Sequence, residues 1–323
     1  MPFVEKFVAI VICGVCAVPS SQSALRDASR LSGLRVRHAV PTARVSAARY
    51  HALFSQSADQ RAYERLGLAS RSMHVQLPRA WYDVRTHRLF VQRGPRPGRR
   101  TLIQEYVRAL IDQNFHLRRL VALRARDHDH WYAAQAMVDG IASLSSGLRA
   151  PGRALAAQLR YLGGRSALAS ALRTFPQTTE QLLHVDKFLE REPALPVRLP
   201  ARAGGAGLVE SETFGELDMR NLLQAFHVPG AVRAAEGWGG GRVALYGDVG
   251  VIVLRWDTAA DAGEWQAAVP SYVAAAFPDA DARTCPPLDG CWGDVAAGVL
   301  GTTSVLASGP GSAEVAAALV RQD

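Results

Sequence analysis

The sequence predicts an α+β fold: a mostly helical body with a short strand pair, followed by a small C-terminal α/β portion. Three observations carry this expectation. Between residues 75 and 92 the apolar period shortens to that of strands. From residue 101 to about 190 it lengthens to the three-and-four spacing of helices. From about residue 210 the order reads β-β-α-β-(β)-α, which suggests a small sheet with helices packed on one face.

The chain opens on a targeting segment, residues 1–24. Lys6 precedes the apolar run "FVAIVICGVCAV", and "PSSQSA" then supplies small and polar residues, the order of a secretory signal with cleavage near Ala24. An uncleaved N-terminal anchor is the rival reading. Acylation at Cys13 or Cys16 is disfavoured by the bulky residues before each cysteine. Residues 25–75 are arginine-rich and helical in pieces. "AWYDV" and "HRLFVQ" predict two short strands around a turn at 83–86. The breakers of "RGPRPGRR" end that pair, and residues 101–117 form an amphipathic helix. The polar stretch "DHDHW" reads as a loop before a second helix, and "PGRALAAQLRYLGGRSALASALRTF" as a third helical region.

"PQTTEQLLHVDKFLEREPALPVRLP" starts on a capping threonine and stops in prolines. "ARAGGAG" reads as a flexible connector that closes a domain of residues 25–209. In residues 210–323, "FGELDMRNLLQAF" is a helix and "GWGGGRVALYGDVGVIVLRWDT" a strand–turn–strand. A proline-containing helix follows, then one or two strands in "GVLGTTSVLASG", then a last helix.

Composition narrows the function classes. The formal net charge is +8, yet lysine occurs only at Lys6 and Lys187, so arginine usage sets the balance. No nucleic-acid motif or aromatic interleaving accompanies it, which argues against a nucleic-acid partner. "GWGGG" lacks the Lys-Ser/Thr end of a phosphate loop, and no GxSxG elbow presents a nucleophile. Cys285 and Cys291 flank the turn of "CPPLDGC" and are expected to form a local disulfide, with two unpaired thiols as the alternative. Arg93, Arg96, Arg99 and Arg100, with Arg118, Arg119, Arg124 and Arg126, form either a basic rim for an anionic envelope surface or an ordinary solvated face.

The helix of residues 101–117 carries "QEYVRALIDQNFHL". Around it stand "AWYDVRTHRLFVQ", "AMVDGIASL", "PQTTEQLLHVDKFL" and "AAEGWGGGRVALY", in that order with it. Together these resemble an exported, zincin-like group of metallopeptidase-related proteins with a HELTHALQDQHFDL-type segment. The resemblance spans residues 76–270. It implies a zincin-like helical body in which two histidines and a third acid bind zinc, while the glutamate between the histidines is the general base. Here the ligand positions are Gln104, Arg108 and Asp139, and the base position, Glu105, is kept.

Chemistry weighs these departures unequally. A Gln104 carbonyl is a poor zinc ligand beside imidazole. Arg108 has no acceptor and keeps its charge in any protein environment. Zinc is therefore expected to be lost here, with Arg108 replacing its charge in a Glu105–Arg108–Asp139 ion-pair cluster. His116, His128, His130, His184 and His227 are substitute-ligand candidates by residue type, but packing, capping or solvated roles suit their positions better. The expected function is that of an exported pseudo-metallopeptidase holding a peptide, protein or envelope component in its old cleft. The alternatives are an active zinc peptidase with unusual ligands and a structural or anionic-surface-binding envelope protein.

Overall fold

The computed structural model describes residues 19–53, 61–68 and 77–321. Most of the expected signal segment therefore lies outside the described residues. Its expected boundary, Ala24, falls inside α1 (Pro19–Ser32), where Ala24 and Ala28 are fully buried. The chain continues through β1 (Thr42–Val45), α2 (Ala47–Ala52), α3 (Arg61–Arg65), β2 (Ala80–Asp83) and β3 (Arg88–Gln92). The helical body then follows as α4 (Arg99–Phe115), α5 (Arg119–Arg124), α6 (His128–Ser146), α7 (Arg153–Thr174), α8 (Thr179–Leu183) and α9 (Val185–Glu190).

The expected strand pair is β2–β3, and β1 adds to it in parallel on the β3 side. β2 is thus an edge strand, and it lies against α4. α4 is buried on nearly every face between α1, α6 and β2. A helix buried on most faces must satisfy any polar side chain it buries, and α4 buries four: Glu105, Arg108, Asp112 and Gln113. Asp112 accepts from the Tyr82 hydroxyl (2.7 Å) and the Leu117 amide (2.8 Å), and pairs with His87 Nδ1 (2.7 Å). Gln113 accepts from the Arg37 amide (2.9 Å) and donates to the His38 carbonyl (2.9 Å). Glu105 and Arg108 satisfy each other, as described below.

α6 corrects one expectation. "DHDHW" is not a loop. Asp127 caps the helix by accepting from the His130 amide at 3.1 Å, so His128 and His130 sit in its first turn. The Asp-x-x-His start is an N-cap signal masked by the polarity of the residues around it. α6 crosses the start of α7 where Gly140 faces Gly152, and a Cβ on either would strike backbone of the other segment. Gly163 and Gly164 leave helical geometry and break α7 in two.

The C-terminal portion begins earlier than residue 210. "ARAGGAG" is a hairpin rather than a connector, with β4 (Arg202–Ala203) paired to β5 (Ala206–Thr213). After α10 (Glu216–Ala225) come β6 (Trp238–Tyr246), β7 (Val249–Trp256), α11 (Ala259–Ala276), β8 (Ala282–Arg283), β9 (Gly290–Trp292), β10 (Val295–Leu300), β11 (Thr303–Ser308) and α12 (Ser312–Leu319). All pair antiparallel in one eight-stranded sheet, order β4-β5-β6-β7-β11-β10-β9-β8. "GVLGTTSVLASG" resolves into the β10–β11 hairpin.

Helices cover both faces of this sheet, not one. Val243, Leu245, Ile252, Leu254 and Leu306 pack with α3, α10 and α11. The alternate residues Ala244, Tyr246, Val251, Val253 and Val305 pack with α12. Apolar residues on both faces turn the two-residue alternation into continuous runs such as "VGVIVL". Ala62 and Leu66, from the N-terminal half of the chain, fill the first of these cores. Cys285 and Cys291 form a disulfide ahead of β10, far from α4 in sequence.

Candidate functional site

The structure brings Glu105, Arg108 and Asp139 together. One helical turn separates Glu105 from Arg108 on α4, and α6 supplies Asp139 from across the helix pair. The Arg108 guanidinium contacts Asp139 Oδ1 through both Nε and Nη2, and its Nη1 lies 3.4 Å from Glu105 Oε2. Glu105 Oε2 also accepts the Tyr82 amide of β2 at 2.8 Å. The guanidinium carbon lies 4.2 Å from the centroid of the Trp81 ring. Arg108 is thus held by two carboxylates and an aromatic face.

Burial decides the charges. Glu105 and Arg108 have only 4% and 6% of their side chains exposed, while Asp139 keeps 21%. Burial pushes the Glu105 carboxyl above the usual carboxylate range, against the lowering pull of Arg108 and the Tyr82 amide. Burial also works against the Arg108 charge, but Asp139 and Glu105 outweigh it and hold the guanidinium protonated.

The remaining ligand position points elsewhere. Gln104 Oε1 accepts the Ser146 hydroxyl at 2.8 Å, at the far end of α6 from Asp129. The donor set does not fit zinc: one position is a cation, one carbonyl is engaged by a hydroxyl, and the remaining acid is bound to the cation. The histidines do not repair it. His116 ends α4 in a left-handed conformation. His128 faces Asp218 (3.6 Å) and Glu212 (4.0 Å), and His184 faces Glu216 at 3.0 Å. His227 follows the end of α10, and His130 stays at the start of α6.

Above Arg108 opens a cleft of about 480 Å³, with the β2–β3 turn, α4, α5 and α6 as its walls. Trp81 and Trp131 supply broad apolar faces, while Arg85 and Arg124 line it with their long side chains. Arg85 lies 3.6 Å from Asp83, and Arg124 lies 5.1 Å from the Trp131 centroid. The motif positions indicated the floor of this cleft. Trp131, Arg124 and Arg85 were missed as wall residues because nothing in their local sequence shows that α5 packs against α6 or that the β2–β3 turn faces the same cleft.

Of the expected basic rim, Arg99 and Arg100 open α4 while Arg118 and Arg119 follow its other end, about 25 Å away at about 1.5 Å per residue; Arg124 instead lines the cleft. Arg99 pairs with Asp27, and Arg119 donates to the carbonyls of Leu172 and Arg173.

A second charged cluster joins the helical body to the sheet. Lys187 Nζ lies 2.6 Å from Glu180, 2.8 Å from Glu192 and 2.6 Å from Asp257. These three carboxylates are close enough together to hold a metal ion, but the ammonium already occupies their centre. A lone lysine among arginines was the available sequence signal: a compact point charge fits three converging acids better than a planar fork. Burial lifts the Glu180 carboxyl to about 7 despite Lys187. Nearby, Asp129 is buried and accepts the Thr179 hydroxyl (2.6 Å) and amide (3.1 Å). Burial raises its carboxyl to about 8.

Residues 202–319 match a family model described as a domain of unknown function (DUF8575). The match spans β4 to α12, so it covers the sheet portion and not the cleft. No curated protein and no solved structure matches the chain. Among the described residues no helix is long and apolar enough to cross a membrane.

Proposed function

We propose that this chain is an exported, non-catalytic relative of the zinc peptidases, whose cleft above Arg108 binds a peptide segment of a protein or envelope component. One observation carries the reading: the Arg108 guanidinium occupies the point where Glu105 and Asp139 converge, on the register that resembles HExxH. A water activated by zinc has no place at that point, because a fixed cation with no acceptor fills it. The zincin-like ancestry rests on the ordered motifs, and α4 packed against the edge strand β2 is compatible with it. The disulfide supports an oxidising, extracytoplasmic compartment.

An edge strand beside a cleft can pair with an extended chain. Here the Tyr82 amide of β2 is engaged by Glu105. This favours recognition by the cleft side chains, with Trp81 and Trp131 taking apolar groups and Arg85 and Arg124 taking carboxylate or carbonyl oxygens.

Two measurements test the reading. Elemental analysis of the purified protein is expected to find zinc well below one equivalent, with no hydrolysis of a mixed peptide library. Titration of that library is expected to change tryptophan fluorescence, and the change should be lost in Trp131→Ala. Stoichiometric zinc that disappears in Glu105→Ala or Asp139→Ala, together with peptide hydrolysis, would establish the active-peptidase alternative instead.

A further inference from the structure

A separate surface has no part in the cleft. The break in α7 at Gly163–Gly164 presents Tyr161 and Leu162 to solvent, 90% and 60% exposed. The Arg165 guanidinium lies against Gly33, just after α1, so closely that a Cβ there would collide with it. This contact brings the α7 break beside the end of α1 and the segment after it. Leu31 and Val36 are there, 45% and 43% exposed. Isolated exposed apolar residues are ordinary. Four lie on two segments that meet at the Arg165–Gly33 contact, include the most exposed tyrosine among the described residues, and are taken together as one patch.

The stretches that carry these four residues hold charge of one sign. No aspartate or glutamate occurs between Asp27 and Asp59, or between Asp139 and Glu180, while these two stretches hold ten arginines. Arg35, Arg160 and Arg165 are exposed, and none of the three forms a described ion pair. The nearest acid on α1, Asp27, is held by Arg30 and Arg99. Leu31 and Tyr161 therefore stand among cations with no compensating carboxylate in their own segments.

We infer that this patch docks the protein on an anionic lipid surface, with Tyr161 and Leu162 entering the interface and Arg35, Arg160 and Arg165 facing the headgroups. The combination decides between partners. A polyanion in solution would use the arginines but gain nothing from the exposed leucine and valine residues. A neutral apolar partner would use those residues but meet uncompensated arginines. A bilayer rich in anionic headgroups satisfies both, because tyrosine and leucine suit its boundary and basic side chains its surface potential. The break in α7 projects the apolar pair beyond the helical body.

Sedimentation of the full chain with vesicles tests this. The vesicles are phosphatidylcholine alone, or the same lipid with a third phosphatidylglycerol. Wild type is expected to favour the anionic vesicles at least tenfold, less so at about 0.5 M salt, where screening is short-ranged. Arg160→Gln with Arg165→Gln should weaken that binding roughly 30-fold, at about fivefold per arginine. Tyr161→Ser with Leu162→Ser should weaken it about tenfold by removing apolar burial. These two residues are exposed, so circular dichroism should match wild type. All variants carry the same N-terminus, so differences between them report the patch. Equal binding to both vesicle types, or full binding by both double variants, would overturn the inference. So would equally tight binding to soluble polyphosphate that ignores Tyr161 and Leu162, which would assign the arginines to a polymer.

Discussion

Arg108→Met tests whether the guanidinium is the counter-charge of a desolvated cluster. Methionine keeps most of the apolar stem of arginine, stops short of the guanidinium and removes the charge. Glu105, buried and bonded also to the Tyr82 amide, then faces Asp139 with no Arg108 guanidinium between them. Removing one partner of a buried ion pair typically costs about 3–5 kcal/mol. Asp139 retains 21% side-chain exposure and can relax toward water, so the penalty falls mainly on Glu105. The lower end, about 3 kcal/mol, is therefore expected, with up to about 1 kcal/mol more from the lost contact with Trp81.

The cost should depend on pH. Without Arg108 the Glu105 carboxyl rises further above its unfolded value. The folded variant then holds a proton that the unfolded chain releases, so its stability falls as pH rises from about 4 toward neutrality. Urea unfolding followed by tryptophan fluorescence at pH 5 and pH 8 should show the larger deficit at pH 8. The neutral triple variant Glu105→Gln, Arg108→Met, Asp139→Asn should recover most of it. A deficit below about 1 kcal/mol at pH 8, the range of exposed pairs, would refute the description of a desolvated cluster.

Four further outcomes are expected. Gln104→His with Arg108→His should create a zinc site that takes up near one equivalent by elemental analysis, with Asp139 as the third ligand; no uptake would show that α4 and α6 do not hold a metal geometry. Asp129, held near 8 by burial, should lower stability as pH rises from about 4 to 8, and Asp129→Asn should flatten that slope in thermal melts. Lys187→Met should destabilise the joint between body and sheet by about 3 kcal/mol, because it strands the buried Glu180, whereas Lys187→Arg should cost less; limited proteolysis and urea unfolding read both. Cys285→Ser with Cys291→Ser should cost about 2 kcal/mol for a closed loop of this size, and should leave ligand binding in the cleft unchanged.

Much of the architecture was legible before any coordinates. The strand pair around 83–86, the helix of 101–117 and the β6–β7 hairpin follow from period and turn residues. Those signals are local, so sequence spacing reports them directly. "DHDHW" and "ARAGGAG" were misread for one reason: short polar or glycine-rich stretches have the same composition in a cap, a hairpin or a loop. Which of these forms depends on what packs beside them.

The sequence alone determined that position 108 carries a permanent cation with no acceptor, because ionisation and donor chemistry belong to the residue type. It also determined that lysine is confined to Lys6 and Lys187 among many arginines. Only the tertiary structure decided that Arg108 meets Glu105 and Asp139 at once, beneath Trp81. It alone showed that Lys187 draws acids from α8, the segment after α9 and the end of β7. The acid-free stretches were visible in the sequence, but their meeting at Gly33 was not. Partners of this kind lie tens of residues apart along the chain, and only packing brings them within contact range.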